Sequence, residues 1–102
     1  MPYGSWVNEL PTGFFLVVHI AAVAIGASFA WAAFRRELTL LAGAFSLFAA
    51  AELVYMTYHL DWTVFLFAHT IAEVLDLVAF ILVFVGAIQP VLGRAATRAA
   101  HA

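Results

Sequence analysis

Residues 12–36 read TGFFLVVHIAAVAIGASFAWAAFRR. From Thr12 to Phe34 there is no Asp, Glu, Lys or Arg, and the run closes on Arg35-Arg36. A helix that crosses the hydrocarbon of a bilayer needs about 20 mainly apolar residues. This stretch meets that length, and Pro11 stands at its entrance. A second candidate span runs from about Leu38 to Tyr58. A third starts near Trp62 and reaches about Ile88, where Gln89-Pro90 is expected to stop it. The third exceeds the minimum, which permits tilt but sets no angle. Both connections are short, so neighbouring helices are expected to be antiparallel.

The rest of the chain fits the same class. Of its 102 residues 67% are hydrophobic and only 10% charged, and the mean hydropathy is +1.06. A soluble domain of this size cannot cover that much apolar surface. The expectation is an all-α integral membrane three-helix bundle. Residues 1–90 form one three-span domain, and residues 91–102 a short cytoplasmic tail that frays beyond the membrane. There is no cysteine, so no disulfide framework or thiolate metal site can form. The net charge of −2 and the lack of a Lys/Arg run give no footing for nucleic acid.

All four cationic residues, Arg35, Arg36, Arg94 and Arg98, follow span one or span three. The N-terminal segment and the loop after span two contain none. Positive-inside bias then predicts the N-terminus outside and the C-terminus inside a plasma or inner membrane. Tyr3, Trp6, Tyr55, Tyr58 and Trp62 gather toward the outer interface, Trp31 and Phe34 toward the inner one. Span one lacks the basic leader of a cleavable signal.

Six ionisable residues remain in or beside the spans: His19, Glu52, His59, His69, Glu73 and Asp76. Helical spacing gives them faces. On span three His69, Ala72, Asp76, Ala79, Val83 and Gly86 alternate in steps of three and four. On span two Phe45, Phe48, Glu52, Tyr55 and His59 do so, and on span one His19, Ala22, Gly26 and Phe29 or Ala30. Small residues at this spacing let helices approach closely, and the three faces are expected to meet in a left-handed bundle. From the rise per residue, His19, Glu52 and His69 lie about 10 Å below the outer boundary, Tyr55 about 6 Å, Glu73 about 15 Å and Asp76 about 20 Å.

A charged side chain at mid-membrane costs about 2.5–3.5 kcal/mol on insertion scales. No Arg or Lys lies in the spans to neutralise Glu52, Glu73 or Asp76. Histidine, a bound cation or a proton must do so. His19, Glu52, His69 and Glu73 are therefore the candidate metal or proton site, with Tyr55, His59 and Asp76 as secondary polar residues. His69 and Glu73, at i and i+4, can chelate from one helix, and His19 with Glu52 can complete a tetrahedral set. Imidazole and carboxylate suit zinc, iron, manganese or copper. A haem held by His19 and His69 is disfavoured by the small bundle and by the lack of an outer-side arginine for its propionates. Set against this, single intramembrane histidines and acids commonly serve only as hydrogen bonds between helices. Asp76 is read as such a link, within the chain or to a partner, and His59 with Asp61 as a wet loop pair.

Two functions follow as expectations. One is a small membrane protein whose outer-half His/Glu site binds a divalent metal or relays protons within a larger complex. The other is a non-catalytic structural or assembly subunit whose polar seam serves only packing and docking. An enzyme in its own right is not expected, since no nucleophile triad or phosphate loop is present. Expected partners are the lipid bilayer and other membrane subunits or further copies of this chain.

Overall fold

The computed structural model describes residues 3–101. A 3-10 turn over Ser5–Glu9 precedes three α-helices: α1 (Thr12–Arg35), α2 (Thr39–His59) and α3 (Phe65–His101). All three are long and apolar enough to cross a membrane.

α1 starts where Pro11, in extended backbone, hands over to Thr12. Within the apolar helices, hydroxyls bond back to their own backbone. Ser28 Oγ donates to the Ala24 carbonyl at 2.7 Å and Ser46 Oγ to the Ala42 carbonyl at 2.8 Å. Neither of these two hydroxyls is then a bare donor facing lipid.

Both helix–helix turns end on the same device. After α1 the Glu37 N–H donates to the Phe34 carbonyl at 3.0 Å and the Leu38 N–H to the Ala33 carbonyl at 2.9 Å. After α2 the Asp61 N–H donates to Tyr58 at 3.0 Å and the Trp62 N–H to Thr57 at 2.8 Å. These are paired Schellman closures, which need a left-handed residue just past the helix. Glycine usually fills that place; here it is Glu37 (φ 60°) and Asp61 (φ 62°). The left-handed Asp61 delays the third helix to Phe65, three residues later than Trp62, where the apolar run begins.

α3 does not stop at Gln89-Pro90 but continues as one helix to His101. Proline there removes one backbone hydrogen bond and crowds the carbonyl of Gly86, a cost of about 3 kcal/mol in water. The residues beyond are rich in Ala, with Leu92, Arg94 and Arg98, strong helix formers that carry the helix on past Gly93. At 37 residues α3 is about 55 Å long, well beyond the hydrocarbon thickness. Its last turns, from Pro90 onward, are exposed throughout.

The interior is made of small residues. Gly26 and Ala33 on α1, Ala44, Ala49 and Ala51 on α2, and Ala68, Ala72 and Ala79 on α3 are buried. Large side chains such as Phe67, Leu77, Phe80 and Phe84 point outward. This distribution is compatible with lipid on the outer faces, where close backbone approach, not burial of large side chains, drives association.

The three expected faces do not all meet. α2 stands between the other two helices and packs against both, while α1 and α3 make no backbone contact with each other among the described residues. α2 therefore has two packing faces. Phe45, Phe48 and Ala49 meet Gly26 of α1; Leu40 and Leu41 meet Gly86 of α3, and Gly43 faces Leu82. Between α1 and α3, one side of α2 is left as an open groove.

Candidate functional site

The α1 and α2 seams bring His19 and Glu52 together. His19 Nδ1 hydrogen-bonds Glu52 Oε2, with only 15% and 16% of the two side chains exposed. The imidazole thus gives the Glu52 carboxyl a hydrogen-bond partner where no arginine is at hand.

The second pair joins α2 to α3: Tyr55 Oη and His69 Nδ1 are 2.8 Å apart. Tyr55 also stacks on His19, with ring centroids 5.6 Å apart and planes within 15°. Tyr55 is thus the hinge of the cluster. The α1 and α3 backbones stay apart among the described residues, and Tyr55 of α2, which meets both rings, relates His19 to His69.

An aromatic shell surrounds the four. Phe65 stacks on His69 at 5.1 Å, and Phe15 stacks on His59 at 4.6 Å. His59 also lies 5.2 Å from the His19 ring and 4.9 Å from Tyr58. It has no hydrogen bond to Asp61 among the described residues; it packs as part of the cluster instead of forming a wet loop pair. Beside it a cleft of about 380 Å³ opens between the N-terminal turn and the second connector, lined by Asn8, Phe15, Tyr58, His59 and Asp61 among others.

Glu73 stands apart. It is exposed and has no hydrogen bond or ion pair among the described residues. The stripe of α3 that faces α2 is Ala68, Ala72 and Ala79. His69 flanks that stripe, and one turn later the 3.6-residue period carries Glu73 about 40° further away. His69 meanwhile gives its Nδ1 to Tyr55. No group of three or more His, Asp or Glu side chains among the described residues is arranged to hold a metal ion.

Asp76 is deeper along α3. Its Oδ1 is buried and has no hydrogen-bond partner among the described residues. Of the helix-to-helix link expected of it, within the chain or to a partner, the first is not made among the described residues.

Phe15 and Phe65 were not singled out from the sequence. For Phe65 a signal existed, since its i, i+4 spacing to His69 puts ring over ring on one helix. Phe15 reaches His59 across two helices, which spacing along one helix does not show. The chain matches no protein-family model, and neither a curated protein nor a solved structure matches it.

Proposed function

We propose that this chain is a subunit of a larger membrane assembly and that His19, Glu52, Tyr55 and His69 form a proton-sharing site near one end of its bundle. The observation that carries the reading is the pair of hydrogen-bonded couples, His19–Glu52 and Tyr55–His69, joined by the stacked His19 and Tyr55 rings. Each couple has one proton with two possible seats, the minimum device for relay. A path from α1 to α3 would need one bridging water between the couples. Three helices enclose no continuous channel, so a relay here serves neighbouring subunits. The arginine positions favour a chain with its N-terminus outside, and that supports a site in the outer half of a plasma or inner membrane.

The test is infrared difference spectroscopy after a pH jump, together with ¹⁵N NMR of labelled histidine rings, on purified protein in nanodiscs. Proton sharing predicts a carboxylic-acid band that disappears in Glu52→Gln. It also predicts a His19 ring signal that changes in the same variant while His101 stays put. A His19 signal indifferent to Glu52→Gln refutes the relay and leaves the couples as packing links. Stoichiometric zinc, iron, manganese or copper in elemental analysis turns the reading to metal binding, with the remaining donors supplied by a partner or by water. Cysteine labelling at Thr97 from outside intact cells refutes the orientation.

A further inference from the structure

The groove between α1 and α3 has a volume of about 410 Å³ and a lining that is apolar except for Asp76. Phe29 of α1, Phe45 and Phe48 of α2, and Phe80 of α3 line it, with Ala79 beneath. It lies along α3 two to four turns beyond His69, and nothing below depends on the His–Glu site.

Two independent features point to one class of ligand. The first is the buried Asp76 Oδ1, which lacks a hydrogen-bond donor among the described residues. A buried acceptor without a partner is rare and calls for one. No cationic residue pairs with it among the described residues. The next along α3 is Arg94, 18 residues or about 27 Å away, and Arg35 stands six residues, about 9 Å of helix rise, beyond the groove residue Phe29. The second feature is the ring of phenylalanines. Aromatic faces attract cations, and the attraction grows where water is excluded.

We propose that this groove binds a hydrophobic organic monocation, with its charge against Asp76 and the phenylalanine faces and its apolar substituents along the groove. A divalent metal is the wrong guest, because it needs several oxygen donors and the groove offers one carboxylate. A small hydrophilic cation loses its hydration for the same single partner. A neutral guest fits only a protonated Asp76, a case that the Asp76→Asn variant separates because its affinity would then be unchanged, and an anion is repelled. A cation shielded by alkyl or aryl groups meets none of these objections, and the volume falls in the range of small-molecule sites. Access is from the lipid: Phe29 is 53% and Phe80 73% exposed at the rim.

The experiment measures binding of radiolabelled tetraphenylphosphonium to the full chain in nanodiscs, with empty nanodiscs as the partition baseline. One saturable site is expected, displaced by unlabelled cation. Asp76→Asn should weaken it roughly tenfold or more, and Phe80→Leu several-fold. Glu37→Gln, in the first connector, should bind as the unaltered chain does. Binding that never saturates above the baseline overturns the proposal, and so does unchanged affinity in Asp76→Asn. Should Asp76→Asn lose helix content, Phe80→Leu decides alone, since that ring is 73% exposed; unchanged affinity then overturns it. A co-purifying subunit that fills the groove and excludes the cation also overturns it, in favour of a protein occupant.

Discussion

Replacing Gly26 by alanine adds one methyl group at a close approach of α1 to α2. The new Cβ would stand 2.8 Å from Phe48 Cδ1, and 3.3 Å from both the Ala49 Cβ and the Phe45 carbonyl oxygen. Carbon pairs prefer about 3.5–4.0 Å. The Phe48 ring can swing by most of the missing distance, but Ala49 Cβ and the Phe45 carbonyl are fixed to the α2 backbone. The helices must separate by a few tenths of an ångström along the whole seam. Overpacking of this kind costs about 1–3 kcal/mol. The gain in helix propensity on replacing glycine returns about 1 kcal/mol. The net expectation is a loss of up to about 2 kcal/mol. Gly43→Ala supplies the contrast, because its Cβ would meet only Leu82 Cδ1, at an ordinary 3.6 Å. There the propensity gain stands unopposed, up to about 1 kcal/mol. Unfolding by SDS titration in mixed micelles reads both, and the two changes should have opposite signs. Adding Phe48→Ala to Gly26→Ala should recover part of the loss beyond additivity. Equal effects at Gly26 and Gly43, or no coupling to Phe48, refutes the close seam.

Glu37→Gly and Asp61→Gly should each stabilise the chain, since a left-handed L-residue costs about 1–2 kcal/mol that glycine avoids. The gain at Glu37 should be larger because aspartate tolerates this conformation better, and the same SDS titration measures both. Tyr55→Phe removes the bond to His69 and should cost about 0.6 kcal/mol, at most roughly 1.7, the range for side-chain bonds between membrane helices. The His69 ring ¹⁵N signal should shift with it, and an unmoved signal contradicts the pairing. Pro90→Ala restores a backbone hydrogen bond to Gly86. It should slow amide exchange from Val91 onward by the equivalent of up to about 3 kcal/mol, and exchange that stays fast shows that the last turns are not held through α3.

The spans and their order were legible in the chain because the bilayer demands them. Length and apolar content set α1 and α2 within a residue or so at each end. The polar seam was partly legible as well. The period of 3.6 put His19 on the face with Gly26, and Glu52 on the face with Phe45 and Phe48, and these are the faces that meet. The end of α3 was misread, because proline is a strong signal in water and a weaker one against a helix-forming sequence on both sides.

What residue type and spacing determined here was which residues share a face and a depth. Both are properties of one helix in one solvent. Tertiary structure decided which faces oppose which. It put α2 in the middle, so that Tyr55 became the link between His19 and His69 and Glu73 was left outside. It also left α1 and α3 apart, with Asp76 facing an apolar groove instead of a partner. The physical reason is that lipid rewards any apolar face equally. Only the fit of small residues, Gly26 against Phe48 and Gly86 against Leu41, selects one pairing over another, and that fit belongs to two helices at once.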